Sequence, residues 1–136
     1  MVPDAAAVQA ALAAGETLVD ARSDGEYLGI YSGGRGERPG TIPGARHLPY
    51  DWLSNDGSGY LRTPGALREL FAARRIDTEA KQVHFCHSGN RAALTWFAAY
   101  ALFGNRDALL YDASMLEWAR RADLPVERAI ELCEAC

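Results

Sequence analysis

The chain has 136 residues, 49% of them hydrophobic and 24% charged, with 14 basic against 18 acidic side chains. That length suffices for one ordinary core without disulfide or metal staples, and the balance is that of a soluble globular protein rather than a disordered one. The net charge of −4 offers no field for a nucleic-acid backbone or an anionic lipid surface; no apolar run nears the roughly 20 residues that cross a bilayer.

Met1-Val2-Pro3-Asp4 lacks the basic start and apolar stretch of an export signal. The expectation is therefore a single domain over 1–136, core about 5–122 and tail 123–136, in the cytoplasm, with no nucleic-acid and no membrane partner. Cys86, Cys133 and Cys136 are too few and too unevenly placed for a secreted disulfide framework, so reduced thiols are expected.

Ala5 to Ala14 reads as a helix with Asp4 as its N-cap and Gly15 past its end. Thr17-Leu18-Val19 is β-prone and ends at Asp20, and Ser23 to Gly29 fits a brief helical turn. The glycines and prolines between Tyr31 and Gly44 forbid a regular element, which leaves a loop of unusual length. Arg46-His47-Leu48 reads as a short strand and Asn55 to Gly59 as a turn. Thr63-Pro64 then caps and opens a helix to about Arg75.

Lys81 to Cys86 has the β-branched and aromatic content of a strand, and the apolar residues from Ala92 to Phe103 recur at helical spacing until Gly104. Ala108 to Tyr111 predicts another strand and Ser114 to Ala122 a last core helix, with Glu127 to Cys136 either helical or a frayed tail. Strands alternating with helices imply an α/β fold, a mostly parallel central sheet with helices on both faces in three layers, and a ligand site at the carboxyl ends of the strands.

The chemistry concentrates in Cys86-His87-Ser88-Gly89-Asn90-Arg91, which puts a thiol between a buried strand and a helix N-terminus. Backbone N–H groups and the helix dipole favour negative charge there, so a thiolate or a persulfide is stabilised. Gly89 lets the backbone curl around the sulfur, and Arg91 adds a positive charge that can bind an anionic substrate group. A cysteine in this position can also be a plain core residue; the loop that follows it argues for reactivity.

Val19-Asp20-Ala21-Arg22, Gly40-Thr41-Ile42-Pro43-Gly44-Ala45, the Cys86 to Arg91 loop and Tyr111-Asp112-Ala113-Ser114 together resemble the rhodanese family, over about residues 5 to 122. The segments Trp52-Leu53-Ser54 and Leu61-Arg62-Thr63-Pro64 look most like the second half of two-domain thiosulfate or 3-mercaptopyruvate sulfurtransferases. The resemblance implies a sulfurtransferase that takes a sulfane sulfur from a small donor onto Cys86 and passes the persulfide to cyanide, a thiol or a protein acceptor. Cys86 matches the nucleophile, and His87, Ser88, Gly89, Asn90 and Arg91 the substrate-binding loop whose amides cradle the sulfur. No cofactor beyond the covalent persulfide and no metal is implied.

Asp20, Arg22 and Glu26 match the family's first motif as structural support, with an Arg22–Glu26 ion pair expected at helical spacing. Ser88 is as in mercaptopyruvate-type enzymes, but vertebrate thiosulfate-type enzymes carry arginine at the position of Glu26 and lysine at that of Ser88. Arg91, or Arg35 and Arg38 of the long loop, could substitute for those charges, although solvated side chains with no ligand are the usual fate of arginines in a glycine-rich segment and the favoured reading of Arg35 and Arg38. His87 could relay protons, orient an acceptor or face solvent. Cys133 and Cys136 have redox spacing and read either as an internal acceptor or as spectators. Zinc would need two more ligands than that pair offers.

Two other functions share these features. Phosphatases and arsenate reductases of the same fold place five residues between cysteine and arginine, whereas only His87, Ser88, Gly89 and Asn90 intervene here. Non-catalytic interaction modules of the family commonly lack the cysteine, which this chain keeps.

Overall fold

A computed structural model describes residues 2–55 and 59–136. Four parallel strands form one sheet in the order β2-β1-β3-β4: β1 (Thr17–Asp20), β2 (Arg46–His47), β3 (Gln82–Phe85) and β4 (Ala108–Leu110). Asp20 lies opposite Phe85 and His47 in the register, so β1 and β3 end together. The chain runs from β1 outward to β2, then returns to the other side of β1 for β3. The crevice at the carboxyl ends of β1 and β3 is thus the switch point at which open α/β sheets place their ligands.

Alternation along the strands splits the core. Leu18, Val83 and Phe85 face α1 (Ala5–Ala13) and α5 (Ser114–Trp118), packing with Val8, Tyr111, Met115 and Trp118. Val19 and Ala108 face the opposite way with Leu67 and Phe71 of α3 (Pro64–Ala73) and with Ala98 and Ala99. All these residues are at most 3% exposed, which makes the three layers expected from the alternating elements.

The local signals act as their chemistry requires. Asp4 accepts the Ala7 N–H at 2.9 Å, and Thr63 accepts the Ala66 N–H at 3.2 Å with Pro64 in the first turn. α2 (Asp24–Leu28) is held by a capping box between Ser23 and Glu26 and stops at Gly29, whose φ is 85°. The turn expected over Asn55 to Gly59 falls largely outside the described residues; beside it, Asn55 N–H donates to the Tyr60 carbonyl at 2.9 Å.

Two elements differ from expectation. The helix opening at Ala92 is α-helical only over α4 (Ala92–Phe97) and widens to a π-helix over Ala98–Leu102, where Phe103 N–H reaches back to the Ala98 carbonyl at 2.9 Å. The C-terminal segment is neither helix nor frayed along its whole length. Glu127 exchanges backbone hydrogen bonds with Thr41, Arg128 Nε donates to the Gly29 carbonyl at 2.8 Å, and Ile130 N–H donates to the Leu28 carbonyl at 2.9 Å. Beyond it Cys133 and Cys136 are joined by a disulfide rather than held as the expected thiols.

Candidate active site

Cys86 follows β3 directly and is 1% exposed. Its Sγ accepts the Gly89 N–H at 3.1 Å, so the next three residues curl around the sulfur. Gly89 has φ of 93°, and a side chain there would run into the Asp112 backbone and carboxylate; the position tolerates only glycine. Among the described residues, the N–H groups of His87, Ser88 and Asn90 make no hydrogen bond, and the side chains of Ser88 and Asn90 stand exposed at the rim.

The loop is fastened from behind. Cys86 N–H donates to Ser114 Oγ at 3.0 Å, and that hydroxyl donates to the Tyr111 carbonyl at 2.7 Å. The Cys86 and His87 carbonyls accept the Met115 and Leu116 N–H groups of α5, at 3.0 and 2.9 Å. The first turn of α5 would otherwise carry orphan donors, and here they hold the loop.

Charge around the sulfur is committed in pairs. Arg91 grips Glu26 through both carboxylate oxygens, at 2.7 and 3.0 Å. Burial pushes the Glu26 carboxyl up, but the hydrogen bonds from Arg91 and Ser23, with the charges of Arg91 and Arg22, outweigh it and hold the group at about 2. The Arg91 guanidinium is raised chiefly by its hydrogen bonds to Glu26, and the Cys86 sulfur lies within its electrostatic reach.

The Arg22–Glu26 pair expected from spacing does not form. Arg22 folds back on Asp20 with contacts of 2.8 to 3.2 Å and donates to the Gly40 carbonyl at 2.6 Å. Thr41 Oγ1 completes the Asp20 carboxylate at 2.8 Å. Asp20 and Arg22 are 0% and 2% exposed, a buried pair with its remaining lone pairs satisfied, and it ties the end of β1 to the long loop.

That loop carries a residue the sequence did not single out. Glu37 buries its carboxylate against His87, with Nε2 at 2.9 Å from Oε1 and 3.0 Å from Oε2. Its neighbour Arg38 is a structural anchor and not a substrate contact: its guanidinium donates to the carbonyls of Trp118, Ala119, Arg121 and Leu124. Arg35 is exposed. His47 stacks on Tyr27 at 4.2 Å and contacts the Arg22 carbonyl at 2.7 Å. His84 lies wholly buried between Thr95 and Gln82, and burial lowers it to about 3. Trp96 stacks on Tyr100 at 4.9 Å and Phe103 meets Phe71 edge-on, so these three aromatics after the loop serve packing, whereas Phe97 is exposed. Among the described residues, no three His, Cys, Asp or Glu side chains gather where a metal ion could sit, and no helix is long and apolar enough to cross a membrane.

A buried cysteine in a curled loop thus stands at the switch point of a parallel sheet, with an arginine five positions on. Residues 4–121 match the model of the rhodanese-like domain, and the chain belongs to that family. It is 36% identical over 107 residues to the 3-mercaptopyruvate sulfurtransferase of Homo sapiens, covering 77% of this chain and 35% of that protein. It is also 36% identical over 108 residues to the thiosulfate sulfurtransferase of Mus musculus, again covering 77% and 35%. The anaerobic ergothioneine biosynthesis enzyme from Chlorobium limicola shares the fold, with a TM-score of 0.82 at 24% identity over 96% of this chain and 32% of that one. The chain spans less than half the length of the curated relatives it matches.

Proposed function

We propose that this domain is a sulfurtransferase that moves one sulfur atom from a small donor, the sulfane sulfur of thiosulfate or the thiol sulfur of 3-mercaptopyruvate, to cyanide or a thiol through a persulfide on Cys86. The observation that carries this reading is the Cys86 loop itself: a buried sulfur that already accepts one amide, Gly89 N–H at 3.1 Å, beside three further backbone donors with no partner among the described residues.

With thiosulfate, the Cys86 thiolate attacks the outer sulfur, the S–S bond of the donor breaks and sulfite leaves with the bonding pair. The persulfide anion then lies beside the loop amides, in surroundings of low dielectric where such donors count for more than in water. Cyanide or a thiolate next attacks the outer sulfur, and Cys86 departs as thiolate, ready for another cycle. Gly89 keeps the cradle open, and the fastening of the loop to α5 means that no rearrangement is needed when charge arrives.

The phosphatase and arsenate reductase alternatives are disfavoured by loop size, since the residues from His87 to Asn90 close tightly around one sulfur. The interaction-module reading is disfavoured by the intact nucleophile. The test is the intact mass of reduced protein before and after each donor, with Cys86→Ser alongside. A gain of one sulfur atom on the wild type alone is expected; no gain with either donor, or an equal gain on Cys86→Ser, overturns the proposal.

A further inference from the structure

Glu37 needs an explanation that packing does not supply. Its carboxylate is 1% exposed, on a glycine-rich loop where a carboxylate could readily reach water. Burying such a charge is costly unless it is paired. Among the described residues the side chain that pairs with it is His87, and Oε1 has no hydrogen-bond donor of proper geometry although Nε2 stands 2.9 Å away. The backbone is shaped for the contact: a side chain at Gly33 would collide with the His87 ring, and one at Gly34 with the Glu37 carboxylate.

With a Glu37 oxygen as acceptor the bonding proton sits on Nε2, and in the neutral imidazole Nδ1 is then the unprotonated atom. Nδ1 has no partner among the described residues, and the His87 side chain remains 27% exposed. The other titratable groups near the ring are Cys86, adjacent in the chain, and the Glu26–Arg91 pair across Gly33. Glu26 is neutralised by Arg91, which leaves Glu37 as the uncompensated charge facing the imidazole.

We propose that His87 is the general base that deprotonates thiol acceptors, with Glu37 as its positioning residue. This rests on the persulfide reading of Cys86. The acceptor R–SH gives its proton to Nδ1. Its thiolate then attacks the outer sulfur of Cys86–S–S⁻, the Sγ–S bond breaks, Cys86 leaves as thiolate and R–S–S⁻ departs. The imidazolium, balanced by Glu37, returns the proton to solvent. Charging by thiosulfate transfers no proton from the donor, so the base belongs to the second half of the cycle. Glu37 holds Nε2 of an imidazole that is adjacent in the chain to Cys86, and this follows the logic by which a third group orients a catalytic base.

The experiment loads wild type, His87→Gln and Glu37→Gln with thiosulfate, removes the donor, and follows loss of the persulfide by intact mass. Two nucleophiles are compared: a small thiol, which must lose a proton, and a water-soluble phosphine, which has none and leaves as the phosphine sulfide. The thiol-to-phosphine rate ratio at pH 7 should fall about 100-fold in His87→Gln and roughly tenfold in Glu37→Gln. Both deficits should close as pH rises past about 8.5, where the thiol ionises unaided. Ratios equal to wild type, or deficits that persist at high pH, overturn the base assignment while leaving the persulfide intact. Failure of the wild type to charge overturns the persulfide reading and this one with it.

Discussion

The Glu26–Arg91 pair allows a quantitative test of what holds the active-site loop to the first motif. Glu26 is held at about 2 against an ordinary 4.5, a shift that corresponds to about 3 kcal/mol before screening. Arg91 is 28% exposed on its side chain, and solvent screening brings the expected contribution down to about 1–2 kcal/mol. The folded carboxyl is depressed, so this stability is fully present above pH 4.5 and is lost as pH falls toward 2. Replacing Arg91 by Met strands the Glu26 carboxylate with Ser23 as its only side-chain donor. A double-mutant cycle of Glu26→Gln and Arg91→Met, read by urea unfolding at pH 7, should give a coupling of about 1–2 kcal/mol, and the cost of Arg91→Met alone should shrink between pH 5 and pH 3. A coupling below about 0.5 kcal/mol, or a cost that does not change with pH, refutes the reasoning.

Gly89→Ala should fold with a loss of about 1–3 kcal/mol, because it forces a side chain into φ of 93° against Asp112, and should not accept sulfur from thiosulfate by intact mass; normal charging would show that the curl is dispensable. His84 is kept neutral by burial, held at about 3 against 6.5, so the unfolded chain binds a proton that the native one does not; stability is fully present above pH 6.5 and should fall by up to about 1.4 kcal/mol per pH unit below it. Urea unfolding at pH 7 and pH 5 reads this slope, and His84→Asn should lose that share of it; an unchanged slope counts against it. Cys133→Ser combined with Cys136→Ser should leave the thermal midpoint and thiosulfate charging at wild-type values, because the bond closes a short exposed tail; a midpoint lowered by several degrees would show that the tail belongs to the cooperative unit.

Much of this architecture was readable from local chemistry. Asp4, Ser23 and Thr63 each sit one residue before a helix and act as caps, and the strand ending at Phe85 with glycine three residues after Cys86 located the curled loop. The partners of the charged groups were not readable. Arg22 and Glu26 have helical spacing, yet Arg22 precedes the cap Ser23, outside the helix, and lies nearer to Asp20 at the strand end; Glu26 is taken by a residue 65 positions away. Glu37 was hidden because a single acid among glycines carries no periodic signal, and only the close approach of Gly33 and Gly34 to His87 and Glu37 gives it a burial site. The partners of Arg38 were hidden for the same reason: the carbonyls it binds, from Trp118 to Leu124, are 80 or more residues downstream. The π-helical turn likewise had no local signal, since Ala98 to Leu102 contains no residue that breaks a helix.

The fastening of the Cys86 and His87 carbonyls to α5 divides labour within six residues. In the proposed cycle the sulfur is held by main chain, anchored by Ser114, Met115 and Leu116, while the side chains of Ser88 and Asn90 stand exposed. On that reading, substitutions at those two positions exchange one partner for another without disturbing the vessel, and preference among donors and acceptors drifts in evolution while the chemistry stays fixed.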